Sequence, residues 1–201
     1  MAILILDDID EATSWQQALS IYLPQVDIRV SLDEGDPADV KALILWDDFS
    51  VLPALTNLKM VVVLGAGVDH IFESGVTIPN SVKVCRLVNP SITSQMVEWV
   101  TLAVLVHNRS WDEYRSFQRQ RLYTELTALH PSKRVIGILG LGMLGRETAL
   151  TLKRIGYQVK GWSKSPKMID QIESFYGSDG LSAVLSEVDI LICMLPLTEQ
   201  T

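Results

Sequence analysis

Short apolar runs alternate along this chain with stretches of helical amphipathicity, and polar turns separate them. Residues 2–6 are apolar enough for a buried strand and stop at the acidic turn Asp7-Asp8. Residues 11–22 place Ala12, Trp15, Leu19 and Tyr22 on one stripe, which predicts a helix that Pro24 ends. Residues 26–30 alternate as a strand does, and Asp33-Glu34-Gly35-Asp36-Pro37 is a polar turn. Further strands are predicted at 42–46, 60–64 and 82–87, with a short helix over 49–55. Strands alternating with helices on short links predict a parallel sheet covered on both faces.

Asn89-Pro90-Ser91 breaks that rhythm. Residues 91–109 predict a long helix that is apolar nearly all round, through Ile92, Met96, Val97, Val100, Ala103 and Val104. Such a helix is expected to be buried between layers or subunits. A more charged helix follows at 111–122, and His130-Pro131 ends the connection. From Val135 a second βα series begins: strand 135–139, helix 143–155, strand 157–162, a short helix before Phe175 with a weak strand there, a helix near 181–186 and an apolar strand at 188–195. The expected architecture is two α/β units, 1–100 and 101–201. The second holds about four of the six strands of a full dinucleotide-binding sheet. An unfinished sheet of that kind is expected to leave an open edge and a tendency to aggregate.

Composition narrows the function classes. The 201 residues are 48% hydrophobic, with 17 Lys+Arg against 24 Asp+Glu and a net charge of -7. An acidic chain without a basic tail argues against nucleic acid and membrane surfaces as partners. Arg115, Arg119 and Arg121 are expected to be a solvated helix face. The apolar start is too short for a signal peptide or anchor, and no stretch is long enough to span a bilayer. Cys85 and Cys193 lie in apolar strand-like runs and are expected to be buried, reduced thiols in a cytoplasmic protein, with no metal site.

Two glycine turns carry the candidate chemistry. Residues 133–147 read as a buried strand, a turn and a helix start, with Gly140, Gly142 and Gly145 in the spacing G-x-G-x-x-G. Gly140 would permit the tight turn, Gly142 would let the backbone approach a pyrophosphate, and Gly145 would let helix and strand pack closely. The N–H groups that open the helix, around Met143 and Leu144, have no internal partner and sit in a partly positive field. The plain alternative is a structural turn, and the strand-turn-helix context favours a nucleotide. The second turn, Gly65-Ala66-Gly67, also follows a strand. Its N–H groups could form a nest for a carboxylate, or it could be an ordinary strand-to-helix turn; the residues alone leave both open.

The turn at 64–71, the helix start Gln95-Met96-Val97-Glu98-Trp99, the glycines at 140–145 and Leu195-Pro196-Leu197-Thr198 follow one another in the order of the D-isomer-specific 2-hydroxyacid dehydrogenases. Over its whole length the chain resembles that family, above all its glyoxylate/hydroxypyruvate reductase branch. The resemblance implies a flavodoxin-like substrate or lid domain followed by a Rossmann NAD(P)-binding domain, here incomplete, and a homodimer built partly on the long helix. It implies that Gly65, Ala66 and Gly67 meet the carboxylate of a small 2-keto or 2-hydroxy acid, and that Leu195 and Pro196 belong to the cofactor site. Trp46 would line the substrate pocket or be a core aromatic. The family's hydride-transfer set is an Arg, a His and a Glu downstream of the Leu-Pro-Leu-Thr segment, so none maps onto these residues, and the chain alone is expected not to turn over. His70, His107 and His130 do not substitute for them.

Cofactor choice can be argued locally. NAD sites place an acidic residue about 20 positions beyond the glycines, on the ribose 2′-OH. Here the second strand runs into Ser163, Lys164 and Lys167 with no carboxylate, which suits a 2′-phosphate. NADP(H) is therefore the expected cofactor, with NAD(H) possible and a solvated lysine loop the plain alternative. Two other readings share the glycine turn: a non-catalytic dinucleotide-binding or dimer-forming module, and a nucleotide-dependent methyltransferase. The methyltransferase leaves the first unit unexplained.

Overall fold

The computed structural model describes residues 1–65, 67, 71, 74–198 and 201. It divides into two compact units, one of Met1–Asn89 with Pro196–Thr201, the other of Pro90–Leu195.

In the first unit the strands are β1 (Ala2–Leu6), β2 (Asp27–Arg29), β3 (Val40–Leu45), β4 (Met60–Val63) and β5 (Lys83–Arg86), with helix α1 (Ile9–Tyr22) after β1. All pair in parallel in the order β2-β1-β3-β4-β5, the flavodoxin-like arrangement. Alternation along β1 and β3 divides the core between two faces. Leu4, Leu43, Leu45, Val61 and Val63 pack with Phe49 and Leu55, whereas Ile3, Ile5, Ile28 and Ala42 pack against Ala12, Trp15 and Leu19 of α1. Helix α1 starts earlier than expected because the Asp8 side chain accepts from the Asp10 N–H and caps it. Phe49–Ala54 forms a 3-10 helix, with Pro53 withholding one backbone donor. The short β2 is anchored by Arg29, which is buried, pairs with Asp27 at 2.6 Å and donates to the Asp36 carbonyl at 2.9 Å.

The second unit comprises α2 (Pro90–Asn108), α3 (Trp111–Gln120), β6 (Val135–Leu139), α4 (Met143–Ile155), β7 (Gln158–Ser163), β8 (Glu173–Tyr176), α5 (Gly177–Glu187) and β9 (Ile190–Cys193). Its parallel sheet runs β8-β7-β6-β9. Counted within the unit this is 3-2-1-4, the first part of the doubly wound order 3-2-1-4-5-6. Ile136, Ile138, Ala149, Leu152, Tyr157 and Val159 make its core, and Val100 and Val104 of α2 join them. That packing draws the whole of α2 into the second unit, so the compact units part at Asn89–Pro90 and not near residue 100.

Within this chain helix α2 buries one stripe: Thr93, Val100, Val104 and Asn108 face inward, while Trp99 is 67% and Leu102 52% exposed. His107, on the same helix, is exposed as well. Contrary to expectation, Cys85 and Cys193 are exposed; among the described residues β5 and β9 stand at the ends of their sheets. No helix precedes Phe175; the chain makes an antiparallel bridge between Ile169 and Ile172 instead, around Gln171 at φ 65°. Helix α3 stops at Gln120, where Arg121 turns left-handed with φ 55°. Arg115, Arg119 and Arg121 are all exposed, as a solvated face requires. Among the described residues no helix is long and apolar enough to cross a membrane, and no cluster of side chains suits a metal ion.

Candidate functional site

The dinucleotide turn is built where β6 ends and α4 begins, beside the β6–β9 pair at which the sheet order reverses. Ligands of doubly wound sheets bind at such a reversal, outside the carboxyl ends of the strands. Gly140 has φ 96°, in the left-handed region that disfavours a side chain, and a Cβ there would lie 2.7 Å from the Met194 carbonyl oxygen. A Cβ on Gly145 would overlap the Gly140 carbonyl oxygen, so this glycine sets how closely α4 approaches β6. Gly142 differs: nothing lies within 4 Å of where its Cβ would be, and the residue is exposed. Its backbone is bare toward solvent.

Gly142 is also the N-cap of α4, and no side chain caps the helix. The first intrahelical bond runs from the Arg146 N–H to the Gly142 carbonyl at 2.9 Å. The N–H groups of Met143, Leu144 and Gly145 therefore have no acceptor within the helix. A bare glycine beside uncapped amides at the positive end of a helix dipole fits a pyrophosphate. The turn is held on its other side by β7: the Gly140 N–H donates to the Trp162 carbonyl at 2.8 Å, and Leu141 packs over Gly161. Leu195 sits against Gly140, while Pro196 clusters with the first unit.

At the end of β7, Ser163 is buried and its hydroxyl donates to the Ser165 carbonyl at 2.7 Å. Lys164 and Lys167 are exposed on the loop beyond it, and no acidic residue stands between Ser163 and Lys167. The strand beneath is braced by Lys160, which bonds Glu187 and pairs with Glu173 at 3.3 Å. The Glu187 hydrogen bond holds the Lys160 ammonium above its ordinary pKa, against the opposing effect of burial.

In the first unit the turn after β4 is folded tightly. The Leu64 N–H donates to the Leu45 carbonyl at 2.9 Å, and the Gly65 N–H to the Val63 carbonyl at 2.8 Å. The Gly65 amide is thus already used, so its part is to let the backbone turn under the Trp46 ring, which a Cβ at Gly65 would overlap. Trp46 is 46% exposed, which excludes a core aromatic. Beyond Trp46, Asp48 accepts from the Ser50 N–H and hydroxyl, which lowers its carboxyl pKa and starts the 3-10 helix. Gly67 is exposed, whereas Ala66 and His70 lie outside the described residues. His130 caps the 3-10 turn Pro131–Lys133 through Nδ1, and His107 is on α2, so neither joins these turns. Sequence reasoning missed Leu141, Gly161 and the Trp162 carbonyl as supports of the dinucleotide turn. A lone glycine inside a strand was the available signal, since it marks a close approach.

A sheet wound 3-2-1-4 with a bare glycine turn and an uncapped helix defines the class, a dinucleotide-binding α/β protein carrying a flavodoxin-like unit before it. The model of the D-isomer specific 2-hydroxyacid dehydrogenase NAD binding domain matches residues 101–201. The chain belongs to this family. Glyoxylate/hydroxypyruvate reductase A of Yersinia enterocolitica is 38% identical over all of the chain, which spans 66% of that protein. The corresponding protein of Serratia proteamaculans is 37% identical over the same shares. Among solved structures, a D-isomer specific 2-hydroxyacid dehydrogenase from Xanthobacter autotrophicus in complex with NADPH and MES superposes with a TM-score of 0.89 at 31% identity, covering 100% of this chain and 65% of that one. The NADPH-dependent glyoxylate/hydroxypyruvate reductase of Sinorhizobium meliloti, in complex with NADP and sulfate, gives 0.88 at 29% identity, covering 100% and 63%. The chain thus spans slightly less than two thirds of the relatives' length.

Proposed function

We propose that the chain serves an NADP(H)-dependent reductase of small 2-keto acids, of the glyoxylate and hydroxypyruvate class. The observation that carries this reading is the bare, uncapped turn at Gly140–Gly145, followed along the sheet by a loop with two lysines and no carboxylate. The unit of Pro90–Leu195 would supply the cofactor half and the unit that holds Met1–Asn89 the substrate half. When bound, the nicotinamide would supply a hydride to the carbonyl carbon of the keto acid, whose oxygen takes a proton. The amides of Met143, Leu144 and Gly145 would bind the pyrophosphate, and Lys164 and Lys167 would attract a 2′-phosphate. Leu195, which sits against Gly140, would border the cofactor. In the first unit, Trp46 and the turn of Gly65, Ala66 and Gly67 would receive the substrate carboxylate, with Gly65 shaping the turn.

The names and contents of the similar structures support the cofactor choice, since those from X. autotrophicus and S. meliloti hold NADPH and NADP. The test is a fluorescence titration of the 201-residue chain with NADPH and NADH. Tighter binding of NADPH is expected, and equal or tighter NADH binding overturns the preference.

The pairing into a homodimer rests on α2. Trp99 and Leu102 are exposed on it, and a groove of about 610 Å³ between α2 and α4 is lined by Val97, Thr101, Leu105 and Thr151, with none of the glycines of the dinucleotide turn. Light scattering after gel filtration checks this. A dimer that Trp99→Ala weakens is expected, and a monomer at micromolar concentration overturns it.

A further inference from the structure

Three consecutive residues at the end of β7 connect the dinucleotide turn to the loop that follows. Gly161 lies beneath the Leu141 side chain, the Trp162 carbonyl accepts from the Gly140 N–H, and the Ser163 hydroxyl donates to the Ser165 carbonyl. A serine hydroxyl has one proton. Donated to Ser165 at 2.7 Å, with the residue only 7% exposed, that proton is not available to a phosphate. What remains on the oxygen is lone pairs, and a phosphate dianion, itself an acceptor, gains nothing from them. Ser163 is therefore poorly suited to be a direct ligand of a 2′-phosphate.

The same bond gives it another role. Closing a hydrogen bond two residues along the chain, it fixes the backbone from 163 to 165, the stretch that carries Lys164 and leads to Lys167. We propose that Ser163 is a positioning residue for cofactor choice, acting on a 2′-phosphate through the loop it folds, while Lys164 and Lys167 supply the charge that discriminates. This rests on the NADP(H) reading above. A lysine is a point charge on a flexible stem, so its effect at a phosphate depends on where the backbone holds the base of that stem.

Double-mutant analysis of NADPH and NADH binding to the 201-residue chain tests it. Ser163→Ala is expected to lower the ratio of NADPH to NADH affinity by about fivefold, the effect of one net hydrogen bond. Ser163→Thr, which retains the donor, is expected to keep the ratio within about twofold of the parent. In a Lys164→Ala/Lys167→Ala background, Ser163→Ala is expected to change the ratio by less than about 1.5-fold, because no charge is left to position. An equal loss in both backgrounds would identify Ser163 as a direct ligand and overturn the proposal. So would a ratio unmoved by Ser163→Ala, or lost equally in Ser163→Thr. A parent chain that binds NADH as tightly as NADPH overturns the NADP(H) reading itself, and with it the role built on that reading. Additivity in a parent that prefers NADPH overturns the role of Ser163 alone.

Discussion

Leu141 closes over Gly161: a Cβ at Gly161 would lie 2.5 Å from Leu141 Cδ2 and 2.8 Å from Cδ1. One residue belongs to the dinucleotide turn and the other to the neighbouring strand, so the turn is seated by a side chain as well as by the Gly140 amide. Gly161→Ala overpacks this contact and is expected to cost about 1–3 kcal/mol in urea denaturation, with weaker NADPH binding. Leu141→Ala frees that space, so the double variant should cost less than the sum of the singles by at least about 0.5 kcal/mol. Strict additivity would show that the two residues do not share a contact.

Gly145 presents a harder limit. An added Cβ meets the Gly140 carbonyl oxygen, which is backbone and cannot rotate aside. Gly145→Ala is expected to lower stability by about 2–4 kcal/mol and to abolish detectable NADPH binding. Gly142→Ala, in open space, should leave the thermal midpoint nearly unchanged and lower cofactor affinity, because the methyl group occupies the approach to the backbone. Equal thermal midpoints for the two variants would refute this contrast.

The Trp46 ring rests on Gly65, and about half of it is in solvent. Gly65→Ala should push the ring outward, and a half-exposed ring can yield at a cost of about 1 kcal/mol. Its signature is a red-shifted contribution of Trp46 to the emission, obtained by subtracting the spectrum of Trp46→Phe in each background. An unshifted contribution would mean that the ring does not rest on this glycine.

Lys160 ties β7 to β8 and α5 through Glu173 and Glu187. Its pKa is raised in the folded chain, chiefly by the Glu187 hydrogen bond, from the ordinary lysine value of 10.5. A raised folded-state pKa contributes stability that is fully present below the unfolded value and is lost as pH rises through the folded one. The parent should therefore be more stable than Lys160→Met at about pH 8, and the gap should narrow as pH rises past the ordinary lysine value of 10.5. Denaturation midpoints of both proteins across this range measure it, and a gap that widens with pH would contradict the assignment.

Much of the fold was legible along the chain. The strands at 2–6 and 135–139 and the helix over 143–155 stand at the expected positions, because apolar runs and glycine punctuation are local signals. The exposure of the two cysteines lies outside that local signal. An apolar run identifies a strand, but whether the strand has neighbours on both sides depends on the order of the sheet, and among the described residues β5 and β9 stand at the ends of theirs. Helix α2 repeats the lesson, since its composition does not say which stripe meets β6 and α4.

At the sites the division is the same. The glycine spacing at 140–145, the lysine loop after Ser163 and the family are legible in residue order, because each depends on residue type at fixed separation. Which hydrogen-bonding groups are already used emerges from the folded chain alone. The Gly65 amide is donated to Val63 and the Ser163 proton to Ser165, whereas the amides that open α4 have no capping side chain. A donor serves a ligand only when the fold has not already paired it, and pairing is a property of geometry that residue order does not carry.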